Sequence, residues 1–136
     1  MRNVRHESLS EHTMDVTFIS HALVVIANSY FGKSLDEGRV VLLAAFHDAP
    51  EIITGDLPTP VKYFDPEIKR SYDRVEQSVK DRMTAQLPLE MRSSYSSIMN
   101  AENDGDDELM KFVKAADKLS ALIKCIEEEA SGNKDF

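Results

Sequence analysis

Seven apolar residues, Val40 to Phe46, run directly into His47 and Asp48, and Pro50 and Glu51 follow at once. Leu43, Ala44 and His47 fall three, four and seven positions after Val40, so the imidazole continues the stripe that such a helix turns toward a core. Asp48 adjoins it, and Pro50 breaks the helix. Polar groups pressed into apolar surroundings must be satisfied by a partner, because burying them unpaired is costly. The partner this pattern calls for is a divalent cation.

The rest of the chain must bring further ligands to that point. At 136 residues it is one domain with room for a real core. Its net charge of -8, from 16 Lys and Arg against 24 Asp and Glu, argues against binding a nucleic-acid polymer, which needs a basic face. Any anionic ligand therefore needs local positive charge, which a metal ion would supply. The lone Cys125 forms no internal disulfide, the N-terminal residues lack a signal-peptide core, and no apolar run approaches a membrane span. The expected setting is cytoplasmic, away from membranes.

Helix signals account for the whole sequence. Ser8 and Glu11 form a capping box that starts a helix running to about Tyr30, with Val16, Ile19, Leu23, Ile26 and Tyr30 as its inward stripe. His12 stands four residues before Val16 on that face. Asp36 caps a second helix, about Glu37 to Asp48, and a short third runs from Pro50 to Gly55. Pro58 and Pro60 keep the stretch from Gly55 to Pro60 out of regular structure and make it stiff, holding Asp56, Thr59 and the following Lys62 at low entropic cost. Asp65 and Pro66 open a fourth helix to about Gln86, with Ile68, Tyr72, Val75, Val79 and Met83 facing inward. A fifth spans about Leu89 to Met99. Asp107 caps a sixth, about Glu108 to Ala130, whose inner face carries Val113, Ala116, Ser120, Ile123 and Ile126, with Asp117 at its edge. The fold class is an all-α bundle of about six helices.

His12, His47, Asp48 and Asp117 thus fall on or beside apolar faces of three helices. Two imidazoles and two carboxylates suit a six-coordinate first-row divalent ion with positions left for water, and zinc less well. Taken singly, His12 could be a hydrogen-bonded core histidine and Asp117 an ion-pair partner of Lys114 or Lys118. Together they support one another. Such an ion makes water a nucleophile near neutral pH and neutralises phosphoryl charge, which points to hydrolysis. Glu51, at i+4 from His47, is placed as general acid or base, or else as a first-turn carboxylate stabilised by the helix dipole. His21 reads as structural and His6 as solvated. The acidic run Asn103 to Asp107 fails as a calcium loop, because Lys111 falls where a bidentate Glu is needed, and reads as a solvated loop and cap.

The H…HD…D order of His12, His47-Asp48 and Asp117 resembles the HD-domain metal-dependent phosphohydrolases. Ser10-Glu11-His12, His47 to Glu51 and Gly55-Asp56-Leu57-Pro58-Thr59-Pro60 resemble its 5′-deoxynucleotidase branch. The resemblance implies an HD helical bundle that hydrolyses deoxyribonucleoside 5′-monophosphates to deoxynucleoside and phosphate. Other HD chemistry, on phosphodiesters or nucleoside triphosphates, and a catalytically weak module that binds metal or nucleotide are the alternatives. It implies that His12, His47, Asp48 and Asp117 hold one divalent metal such as cobalt or manganese. Glu51 and Asp56 would serve catalysis, Asp56, Leu57, Pro58 and Thr59 would contact the nucleotide, and the assembly would be a homodimer. Family chains carry an earlier helix with an Arg-Trp pair that orients the phosphate, and a further helix after the last one here. The chain, without Trp, is therefore expected to be a fragment or a shortened form that lacks this clamp, with Arg2 or Arg5 only a disfavoured substitute.

Overall fold

The computed structural model describes residues 4–134. The elements are α1 (Leu9–Tyr30), α2 (Glu37–Phe46), α3 (Glu51–Thr54), α4 (Thr59–Lys62), α5 (Pro66–Ala85), a 3-10 turn (Leu89–Met91), α6 (Arg92–Met99) and α7 (Asp106–Ala130). No strand occurs among the described residues. None of these helices is long and apolar enough to cross a membrane.

Three of the four predicted side-chain caps form; the fourth does not, because α7 begins at Asp106 behind Gly105 and Asp107 falls inside its first turn. Ser8 accepts from the Glu11 amide while Glu11 accepts from the Ser8 amide, Asp36 accepts from Arg39 N–H at 2.8 Å, and Asp65 from Glu67 N–H at 2.6 Å. Each satisfies a backbone donor that the helix itself leaves unpaired.

The core is the triangle of α1, α2 and α7, closed by Val16, Val24, Val40, Leu43, Val113 and Ala116. Truncating Leu43, 1 % exposed, to Ala would cost about 2–5 kcal/mol. The α1 stripe holds in part: Val16 is buried and Ile19 and Leu23 pack against the core, but Ile26 and Tyr30 are exposed, and Ser20, Val24 and Ala27 are buried as well. Apolar residues surround this helix, so periodicity alone does not settle its whole inner face, and two packed neighbours select the small side chains that allow close approach.

Three further expectations are corrected. Thr59–Lys62 is a helical turn, because Pro60 in a first turn sacrifices no needed donor. On α5 only Val79 is buried, and Ile68 and Val75 face an open cleft. On α7 the inner face holds through Ser120, but Ile123 and Ile126 are exposed, since no described element packs over them.

The acidic run is also more than a solvated loop. Gly105, at a φ of 84 that favours glycine, turns the chain so that Asp106 begins α7 and enters the interior at 1 % exposure. There it takes Arg39 Nε on Oδ1 at 3.0 Å and Nη2 on Oδ2 at 2.7 Å, and Asn103 N–H on Oδ2 at 2.9 Å. Arg39 Nη2 also donates to the Ser97 carbonyl at 3.0 Å, so the pair ties α2, α6 and α7 together.

Candidate metal centre

Three helices bring the four predicted ligands to one point. α1 presents His12 from its first turn, and α7 presents Asp117 one residue beyond buried Ala116. α2 ends at Phe46, after which successive tight turns carry His47 and Asp48 through to α3 without an extended break. One ligand atom from each of His12, His47, Asp48 and Asp117 lies within 4.8 Å of all the others. Atoms on opposite sides of a cation with bonds of about 2.1 Å are about 4.2 Å apart, so the quartet is close to ligating dimensions.

The individual contacts show what is missing. His12 Nε2 lies 2.9 Å from Asp117 Oδ1 and 3.6 Å from Asp48 Oδ2. His47 Nδ1 lies 2.6 Å from the Ala44 carbonyl, so it must carry the proton and donate it. In the neutral ring Nε2 is then an acceptor. That Nε2 is buried and makes no hydrogen bond, although Asp48 Oδ2 approaches to 3.0 Å. A buried, unbonded ring nitrogen among carboxylates is a ligand set that fits a divalent cation.

Electrostatics follow from this crowding. The hydrogen bond from His12 holds the Asp117 carboxyl below its ordinary range and, reciprocally, raises the His12 pKa. Burial opposes protonation of His47, but Asp48 and the Ala44 carbonyl outweigh it and the net shift is upward. Glu51 is pushed up to about 7, first by burial and then by the charges of Asp48 and Asp56. It is therefore partly protonated near neutrality, as a group that both gives and takes a proton should be.

The predicted substrate residues divide. Asp56 and Leu57 line a cleft of about 630 Å³ with Ile68, Ser71, Tyr72 and Val75 of α5. Pro58 and Thr59 are exposed where α4 begins. Arg2 lies outside the described residues, and Arg5 is occupied beside Glu11 at 3.9 Å. His21 sits apart from the cluster, 4.0 Å from Glu37.

Sequence reasoning missed the support behind His12. Its Nδ1 faces Ser120 Oγ at 3.4 Å and Glu7 Oε2 at 3.8 Å, and Lys124 holds Glu7 at 3.2 Å. Ser120, a hydroxyl on an otherwise apolar face, was the available signal; Glu7 and Lys124, 117 positions apart, gave none.

Comparison with known proteins agrees with this geometry. Residues 1–136 match the family described as 5′-deoxynucleotidase YfbR-like. A 5′-deoxynucleotidase of Photorhabdus laumondii is 43% identical over 136 residues, all of this chain and 68% of that protein. A 5′-deoxynucleotidase of Vibrio cholerae is 42% identical, with 70% of its length covered. Among solved structures, an HD-domain phosphohydrolase from Listeria innocua superposes with a TM-score of 0.86 at 23% identity, over 98% of this chain and 63% of that one. This likeness shows the all-α HD fold. A conserved hypothetical protein from Pyrococcus furiosus gives 0.69 at 26% identity, over 97% and 73%.

Proposed function

Since the chain belongs to the YfbR-like 5′-deoxynucleotidase family, we propose that it hydrolyses deoxyribonucleoside 5′-monophosphates to deoxynucleoside and phosphate at the His/Asp cluster. The observation that carries the reading is the buried, unbonded Nε2 of His47 among two carboxylates and a second imidazole. His12, His47, Asp48 and Asp117 would hold one divalent metal, with cobalt and manganese as the first candidates. Bound there, the cation supplies Lewis acidity toward phosphoryl oxygen and lowers the pKa of water.

The chain's own residues do the rest. Glu51 moves the proton: hydrolysis joins water oxygen to phosphorus, breaks the bond to the sugar O5′ and requires a proton at that leaving oxygen. A carboxyl poised near 7 can accept it from water and return it there. Asp56 and Leu57 meet the sugar side of the nucleotide, and Pro58 and Thr59 stiffen that wall. The apolar side chains of the cleft, Ile68 and Val75, suit a base.

The same reading takes residues 1–136 as one HD domain in a cytoplasmic homodimer. Exposed apolar residues on α1 and α7, among them Phe18 and Ile126, support self-association. Sedimentation at micromolar concentration should give twice the monomer mass. Phosphate release from dAMP and AMP with Co²⁺ or Mn²⁺ tests the activity. Release should favour dAMP and vanish in the His47→Ala, Asp48→Ala double variant; release persisting in that variant overturns the reading.

A further inference from the structure

The two imidazoles of the cluster are held from behind in different ways. His47 turns Nδ1 to the carbonyl of Ala44, three residues earlier in its own turn, at 2.6 Å. His12 is met instead by side chains from distant parts of the chain. Its Nδ1 faces Ser120 Oγ of α7 at 3.4 Å and Glu7 Oε2 at 3.8 Å, while Asp48 and Asp117 approach at Nε2. Negative charge therefore lies beside both nitrogens of this ring. When Nε2 meets a cation it must give up any proton, and Nδ1 is then the nitrogen that carries one.

Glu7 is fixed where it can favour that arrangement. It immediately precedes Ser8, whose capping box with Glu11 sets the entry into α1. On the upstream side Glu128 of α7, 4 % exposed, accepts from the Val4 amide at 2.8 Å and from the Arg5 amide at 3.1 Å, and the Asn133 side chain donates to it at 2.9 Å. The segment from Val4 to Ser8 is thus tied down at both ends, with Glu7 between the ties. Lys124, one turn before Glu128, reaches Glu7 Oε2 at 3.2 Å, the same oxygen that faces His12. The side chains of Glu7, His12 and Lys124 are 22%, 20% and 24% exposed, so solvent screens these charges less than it would on the surface.

We propose that Glu7, held by Lys124 on a segment that Glu128 pins to α7, is a positioning residue: it favours the ring proton of His12 on Nδ1 and leaves Nε2 bare for a divalent cation. This rests on the metal-site reading above and adds the group that prepares one of its ligands. A carboxylate behind a ligating imidazole fixes the tautomer and makes the ring a better donor, and its removal typically weakens metal binding without touching the ligands themselves.

The test is calorimetric titration of the 136-residue chain with Mn²⁺ alone, a readout that needs no turnover. Glu7→Gln, which keeps the shape and removes the charge, should weaken Mn²⁺ binding about ten- to hundredfold. Glu7→Asp, which keeps the charge but shortens its reach, should give a smaller loss, and it decides the matter if Glu7→Gln fails to fold. Lys124→Arg preserves the clamp and should retain the wild-type affinity. Glu108→Gln is the matched control, since it removes the same charge from a second lysine–glutamate pair on α7, with Lys33 at 2.9 Å, and should bind Mn²⁺ as the wild type does. Wild-type affinity in the folded Glu7 variant overturns the proposal, even if its metal-free melting temperature falls, and so does an equal loss in Glu108→Gln. Mn²⁺ bound by neither wild type nor variant overturns the proposal together with the metal-site reading. Mn²⁺ binding that depends on Glu7 in a protein that releases no phosphate from dAMP overturns the deoxynucleotidase reading alone.

Discussion

The two ends of α2 each bury charge, and they do so in opposite ways. At the N-terminal end Arg39 and Asp106 answer each other with two directed hydrogen bonds, and the backbone amide of Asn103 and the carbonyl of Ser97 take up further capacity. At the C-terminal end two imidazoles and two carboxylates converge, a ring nitrogen stays unbonded, and a nearby glutamate is driven up to about 7. Burial of charge is common to both, so burial does not mark function. What separates them is completeness: the first cluster closes on itself, and the second keeps a ring nitrogen unbonded among carboxylates, a donor set that could hold a cation.

The sharpest way to break this contrast is to damage each end in turn. Asp48→Asn should reduce phosphate release to background while the metal-free protein melts no lower than wild type, because it relieves crowding among carboxylates. Asp106→Ala should do the reverse. It strands a buried guanidinium, which costs about 3–5 kcal/mol, a large part of the roughly 5–15 kcal/mol that holds a domain folded. Denaturant midpoints for both variants check the pair. If Asp48→Asn unfolds the protein as Asp106→Ala does, the two clusters are alike and the contrast fails.

A smaller effect should appear when the missing charge is supplied. Mn²⁺ at about a hundred times its dissociation constant should stabilise the wild type by about 2.7 kcal/mol, read as a rise in melting temperature. Asp48→Asn should lose most of that gain. A variant of the other cluster that still folds, such as Arg39→Lys, should keep it.

How much of this could be read from the residues follows the same division. The candidate ligands were legible because His47 and Asp48 interrupt an apolar run abruptly, on and beside helices whose caps, Ser8 with Glu11 on α1 and Asp36 on α2, are local signals, and because His12 and Asp117 fall on or beside apolar helix faces. Asp106 was not, because nothing in an acidic, glycine-containing run tells which carboxylate turns inward; that depends on an arginine 67 positions away. The stripe of α1 was legible at Val16, Ile19 and Leu23 but not at Ile26 and Tyr30 for a related reason: the neighbours decide which apolar residues are covered. On α5, Ile68 and Val75 keep helical spacing but face a cleft rather than the core, and a periodic pattern cannot distinguish the two.

Acid should separate the two ends most finely. Arg39 holds the Asp106 carboxyl below its ordinary value of 3.8, so the folded state binds that proton less readily than the unfolded chain. A depressed carboxylate contributes stability that is fully present above the unfolded value and lost as pH falls through the folded one. Asp117, lowered by His12, adds a loss of the same sign. Unfolding free energies measured in metal-free buffer between about pH 5 and pH 3 contain both. Replacing the pair by Arg39→Met with Asp106→Leu removes two charges together, which is far milder than stranding one, and should flatten only the share due to Asp106. Adding Mn²⁺ should steepen what remains, since protons must leave the ligands before the ion binds. An acid slope that neither change alters would mean that these two clusters do not govern the loss of stability in acid.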